Sequence, residues 1–312
     1  MPTGGQEVKD FTVPLPGHHG GDGARLATAL GVDPAAVLDL SASLNPAAPD
    51  AGGVVGKHLD AVARYPDPAP ATAALAAAIG VDADRVVLTN GGSEAITLVA
   101  SRFGGTVDEP DFGLYPRSGG PLWRSNPHTP SGRLAPASEK AGVWDEAFYP
   151  LATGRWTRGD SDGGAVVVGS LTKVFACPGL RAGYVVAPDP ATARRVASIQ
   201  PAWSVNGLAT SALPDLLDSA DLVGWAGEIR RWRASLVALL ASHGLVVAAA
   251  DAPWVLVDSP GLRSRLARQR VLVRDCASFG LPAHSRIAVP DPPGLARLAD
   301  ALAVAAIDED GP

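Results

Sequence analysis

The chain has 312 residues, 46% apolar and 19% charged, enough for a sizeable core in one broad unit or in one large and one small unit. Its net charge of −6 argues against a nucleic-acid partner. Two cysteines outside any spaced cluster, a start without a signal-peptide layout and no apolar run of 18 residues speak against zinc, disulfides, export and a membrane span; the expected location is the cytoplasm.

Residues 1–22 are weakly patterned and read as a surface arm, with His18 and His19 as a solvated pair rather than metal ligands. Residues 24–31 pattern as a short helix stopped by Gly31. The stretch 38–46, LDLSASLNP, reads as a short strand running into a loop, and 68–80 as an Ala-rich helix ending at Gly80. In RVVLTNGGSEAITLVASRFGG, VVLT is a strand and Asn90-Gly91-Gly92 a tight turn, with Ser93 expected to cap a helix over 94–102. TVDEP, PLWRS, GVWDEAF, AVVVGS and AGYVVAP follow as strands, which indicates an α/β fold with a parallel or mixed sheet. Residues 206–243 are largely helical. Beyond them LVVAAA, WVLVDS, VLVRDC and SRIAVP alternate with two helices, the texture of a smaller α+β unit. The expected division is an arm and first helix over 1–34, a large unit over 35–215 and a small one over 216–312.

The strongest chemical signal is GSLTKVFACPGLRAGY, residues 169–184. A strand delivers Ser170 and Lys173 at its C-terminal end, where open α/β sheets place ligands. A lysine among Leu171, Val174, Phe175 and Leu180 can have a depressed pKa and become nucleophilic. Ser170 and Arg181 can both hold a phosphate. Upstream, the turn and helix start at Gly91, Gly92 and Ser93 offer backbone N–H groups to a phosphate.

The string S-L-T-K-x-F-A-x-P-G-L-R-x-G-Y resembles the lysine motif of fold-type I pyridoxal-phosphate (PLP) enzymes, the class I/II aminotransferase superfamily. Its wording is similar to that of the cobalamin-pathway threonine-phosphate decarboxylases and of histidinol-phosphate aminotransferases. The resemblance implies a large PLP-binding domain with a mostly parallel sheet, here shortened, and a smaller C-terminal α+β domain. It implies PLP held as a Schiff base on Lys173, with its phosphate on Ser170, Arg181 and the Gly91-Gly92-Ser93 cup. Asp145 in VWDEAF takes the place of the acid that pairs with the pyridine nitrogen. Phe112 matches the aromatic that stacks on the ring, and Tyr115 is a poorer candidate. YPDP resembles the segment that crosses a homodimer, so Tyr65 reaches the partner's cofactor phosphate and the active sites are shared. Arg286 in SRIAVP matches the substrate-carboxylate clamp, and Asn45 is expected in the pocket. VRDCASFGL resembles a small-domain stretch, which makes Cys276 structural.

Two departures stand out. In NPHTPSG, Thr129 occupies the position of the family's asparagine that hydrogen-bonds the phenolic oxygen of PLP, and Phe148 replaces a tyrosine that many relatives use there. Only 15 residues separate Pro110 from Asn126, where relatives fit a further strand and helix, so the sheet is expected to differ locally. The substrate implied is a small amino acid or amino phosphate. The first expectation is decarboxylation of L-threonine O-3-phosphate, the alternative an aminotransferase. A weakened PLP-fold binding protein is the third reading.

Overall fold

The computed structural model describes residues 12–307, so residues 1–11 of the expected arm lie outside the described part. The strands are β1 (Leu38–Asp39), β2 (Val86–Thr89), β3 (Thr106–Val107), β4 (Leu122–Ser125), β5 (Val143–Asp145) and β6 (Val166–Ser170). They continue as β7 (Gly183–Val186), β8 (Val246–Val247), β9 (Trp254–Asp258), β10 (Val271–Leu272), β11 (Arg274–Asp275) and β12 (His284–Ala288).

Six strands form the central sheet in the order β2-β7-β6-β5-β4-β3. β3 through β6 run parallel, and β7 lies antiparallel to both β2 and β6. The valine-rich runs are buried on both faces because side chains alternate between two cores. Val86, Leu88, Trp144, Val167, Tyr184 and Val186 pack toward helices Ala69–Ile79 and Gly207–Asp218. Val87, Val143, Val166, Val168 and Val185 pack toward helices Gly92–Phe103 and Pro190–Ala197. Trp123 and Trp144 are fully buried, one in each core. Burial of each contributes roughly 4–6 kcal/mol at about 25 cal/mol per Å².

The second layer is the antiparallel sheet β11-β12-β9-β8. Leu236 and Leu240 of helix Leu222–Ser242 pack on it, with Leu262 and Leu266 of helix Leu262–Arg268 and Leu298 of helix Pro292–Ile307. The sequence-based boundaries differ from the packing in two places. Residues 38–39, expected to begin the large unit, pair in parallel with β10 (Leu38↔Val271, Asp39↔Leu272), and Leu26 and Ala27 pack with Ala267 and Leu272. At the other boundary, Leu216 and Leu217 belong to the first core, and the chain passes between cores along Leu222–Ser242.

The short 108–121 connection contains no helix. β3 is the edge strand, so the abridgement leaves the β4-β5-β6 ladder unbroken. A Gly105–Gly119 bridge closes the connection. The helix after β2 also starts differently from expectation. Gly91, at φ 82° and ψ 168°, is the N-cap, in a region that only glycine enters freely, and Ser93 lies inside the first turn without a capping bond. Glu94 reaches back instead and accepts from the Asn90 amide at 2.7 Å. Among the described residues no helix is long and apolar enough to cross a membrane.

Candidate active site

The C-terminal ends of β2, β4, β5 and β6 face one cavity that encloses about 930 Å³ of atom-free space, its open mouth included. At one end Gly92, Ser93, Ser170 and Arg181 converge. The approach is tight: a Cβ on Gly91 would lie 2.5 Å from Arg181 Nη2, and one on Gly92 3.2 Å from Ser170 Cβ. Glycine at 91 meets a positive φ and lets the guanidinium come close, and glycine at 92 lets Ser170 come close without displacement. Arg181 itself has φ 58°, a left-handed conformation that side chains enter at a cost of about 1–3 kcal/mol. Helix N-terminal amides, a hydroxyl and a guanidinium together form an anion cradle.

Lys173 lies three residues beyond Ser170, in the short helix Leu171–Val174. Its Nζ donates to the Ala42 carbonyl at 3.2 Å. Burial, reinforced by the charges of Arg286, Arg274 and Arg181, pulls its pKa from 10.5 down to about 8. Asn45 does not line the cavity as expected. Its amide Nδ2 donates to the Val174 carbonyl at 2.8 Å, its Oδ1 accepts from Ala47, and its backbone N–H donates to the Lys173 carbonyl at 3.1 Å. With both ends of the amide engaged, Asn45 anchors the lysine loop from behind.

Asp145 ends β5 and lines the cavity. Its Oδ1 accepts from the Ala147 amide at 2.9 Å and its Oδ2 from the Tyr115 hydroxyl at 2.8 Å. Burial raises its pKa to about 6 against these two donors, with the nearby charge of Asp111 adding to the rise. Burial drives the Tyr115 phenol well above its ordinary value, so it remains a donor. Tyr115 is thus the residue that sequence reasoning undervalued. Its spacing from Phe112 was visible, but its bond to Asp145 was not.

Phe112, Thr129 and Phe148 also line the cavity. The Phe112 ring contacts His19 and Tyr115, with centroids 5.3 and 5.6 Å away. Lys173 Nζ lies 5.8 Å from the centre of the Phe148 ring. Thr129 is held by its backbone amide, which donates to Ser125 Oγ at 2.7 Å.

Opposite the sheet stand Arg286 and Arg274, direct cross-strand partners in the β11–β12 register. Arg286 lies over Trp254 at 4.7 Å and Arg274 over Phe279 at 4.5 Å. Both are buried, both have an unpartnered buried Nε, and neither forms an ion pair among the described residues. Desolvation and the neighbouring Arg274 charge lower the pKa of Arg286 to about 9. Like charges in direct register destabilise a sheet. Sequence reading did not single out Arg274, because its place beside Arg286 depends on strand pairing. His18 and His19 are exposed, as expected, and His19 also lines the cavity near Arg274, which donates to the His18 carbonyl at 3.1 Å. Burial, then Arg274, lowers its pKa.

Tyr65 lies away from the cavity, 79% exposed, with its ring 4.6 Å from that of Trp203, which is 63% exposed. The cavity donor set suits the implied cofactor. It offers a low-pKa amine for the aldehyde, an anion cradle for the phosphate, a buried acid for the ring nitrogen and an aromatic wall.

Residues 125–302 match the family model described as aminotransferase class I and II. The chain is 30% identical to a threonine-phosphate decarboxylase of Salmonella typhimurium, over 84% of this chain and 88% of that protein. It is 26% identical to histidinol-phosphate aminotransferase 1 of Dechloromonas aromatica, over 89% of this chain and 92% of that one. A crystal structure of the histidinol-phosphate aminotransferase of Sinorhizobium meliloti in complex with pyridoxal-5'-phosphate shares the fold. Its TM-score is 0.73 at 16% identity, covering 86% of this chain and 90% of that one.

Proposed function

The chain belongs to the class I and II aminotransferase family and is a PLP-dependent enzyme, and from that premise we propose that it decarboxylates L-threonine O-3-phosphate to 1-aminopropan-2-ol phosphate, the cobalamin side-arm precursor. The observation that carries this reading is the Arg274–Arg286 pair. Two buried guanidiniums in register, neither in an ion pair among the described residues, call for a ligand with two anionic groups. A phosphorylated amino acid has a carboxylate and a phosphate.

When bound, PLP supplies the electron sink for the pair left at the substrate α-carbon. Lys173 is the amine that carries it, and the Gly92-Ser93 amides, Ser170 and Arg181 hold its phosphate. Asp145, kept in place by Tyr115 and Ala147, pairs with the ring nitrogen. Phe112 would supply the aromatic wall for the ring, and Thr129 would stand at the position that serves the phenolic oxygen. Arg286 binds the substrate carboxylate, while Arg274 and His19 bind the substrate phosphate. As the carboxylate departs as CO₂, its bonding pair stays at the α-carbon and Lys173 delivers a proton there. An amine with pKa about 8 is suited to giving up and regaining that proton near neutrality.

Exposed Leu59, Val62 and Tyr65, with Trp203 packed 4.6 Å from the Tyr65 ring, offer apolar surface that suits a second copy of the chain. In such a homodimer Tyr65 serves the partner's cofactor phosphate.

The test incubates PLP-loaded protein with threonine O-3-phosphate, with and without a 2-oxo acid, and reads products by mass spectrometry. Aminopropanol phosphate and CO₂ without the oxo acid support the decarboxylase. Strict dependence on the oxo acid, with amino transfer, supports the second reading, an aminotransferase on histidinol phosphate or another small amino compound. The likeness to the Dechloromonas enzyme over 89% of this chain favours that alternative.

A further inference from the structure

Asp111 precedes Phe112 and is 2% exposed, yet it is absent from the cavity lining, which includes its neighbours Phe112, Ser125 and Thr129. It forms no ion pair among the described residues. Three donors bond its carboxylate instead. Oδ1 accepts from Ser125 Oγ at 2.6 Å and from the Phe112 amide at 2.7 Å, and Oδ2 accepts from the Ser125 amide at 3.3 Å. Ser125 Oγ accepts in turn from the Thr129 amide at 2.7 Å. An unbroken chain of bonds therefore runs from the Phe112 backbone through Asp111 and Ser125 to the Thr129 backbone. His128 adds a second tie, with Nε2 on the Pro110 carbonyl and Nδ1 on Ser131 Oγ, both at 2.8 Å.

A buried carboxylate without a cation is a poor way to stabilise a fold, since a well-packed apolar side chain does so at less cost. What the acid provides is direction, because each of its oxygens accepts only along defined lines. It joins two segments that carry opposite parts of the cofactor wall. We propose that Asp111 is a positioning residue for the cofactor, which through Ser125 locks the Phe112 wall and the Thr129 turn into one clamp. This matters most where a threonine stands in the phenolic-oxygen position, since its short side chain reaches only as far as its backbone is set.

The variants are Asp111→Ala, Asp111→Asn and Ser125→Ala in the full chain. The readouts are the dissociation constant for PLP and the circular dichroism band of the bound cofactor, with thermal unfolding of the cofactor-free protein as the fold check. Loss of a charge-assisted bond in Asp111→Ala and in Ser125→Ala is expected to weaken PLP about tenfold or more and to alter the band. In Asp111→Asn the amide oxygen still accepts from Ser125 Oγ and Phe112, while Nδ2 faces the Ser125 amide and gives up the 3.3 Å bond, so PLP should bind more tightly than to Asp111→Ala though less tightly than to the parent. PLP bound by Asp111→Ala as tightly as by the parent, with the same band, overturns the proposal. So does Asp111→Asn as weak as Asp111→Ala. If Asp111→Ala does not fold, parent-like binding by Ser125→Ala overturns it alone.

Discussion

Tyr115→Phe removes one hydroxyl and leaves the ring packed against Trp123, so it isolates the bond to Asp145. Among the described residues Asp145 has two hydrogen-bond donors, and the variant leaves only the Ala147 amide. A bond to a charged acceptor contributes about 1.5–3 kcal/mol, which is roughly 1–2 pKa units at 1.36 kcal/mol each. From about 6, the pKa of Asp145 in the cofactor-free chain should rise to about 7–8. At pH 7.5 the ionised fraction then falls from about 97% to between about 75% and 25%. Bound PLP favours the carboxylate in both proteins, so the difference between them is the measure. The assay is the PLP dissociation constant from pH 5.5 to 9. Its acid limb should move up by about 1–2 pH units in the variant. Stability carries a sign as well. Asp145 has a raised folded pKa, so its contribution favours folding below its unfolded value near 3.8 and is lost as pH rises through 6. The cofactor-free variant should therefore lose about 1.5–3 kcal/mol at pH 8 and little at pH 5, by urea unfolding. An acid limb within about 0.3 unit of the parent would refute the assigned role of Tyr115.

Other outcomes follow from the same geometry. Attachment of PLP to the cofactor-free protein should speed up as pH rises through about 8, where Lys173 loses its proton, and Lys173→Ala should leave no borohydride-sensitive colour. Arg274→Met should lower kcat/KM for the phosphorylated substrate by about 10- to 150-fold while leaving stability unchanged or higher, because a like-charge neighbour is relieved. Arg274→Lys should not restore the rate, since an ammonium lacks the planar fork. Gly91→Ala should weaken PLP by at least about tenfold in equilibrium dialysis, because φ 82° strains an alanine there and its Cβ would push the Arg181 guanidinium, 2.5 Å away, out of the phosphate cradle.

The sequence determined those features in which chemistry is local to a short segment. Continuous valine-rich runs marked β2, β6 and β7, and glycines at 31 and 80 took the left-handed caps that end their helices. The strand-to-lysine motif placed Ser170, Lys173 and Arg181 within 11 residues of one another, so the cofactor class was legible before any coordinates. Tertiary structure decided whatever depends on partners distant in sequence. It showed that the abridged connection meets the sheet at its edge, where no interior ladder is broken, and that residues 38–39, placed with the large unit, pair with β10. It turned Asn45 away from the cavity, because both ends of its amide are used by backbone 129 residues on and two residues on. It also brought His19, Arg274 and Tyr115 into the site. The physical reason is the same for all three. Periodicity reports which face of an element is buried, but which side chain across the cavity receives a proton or faces a like charge is set by sheet register and loop closure, and these arise only when the whole chain has packed.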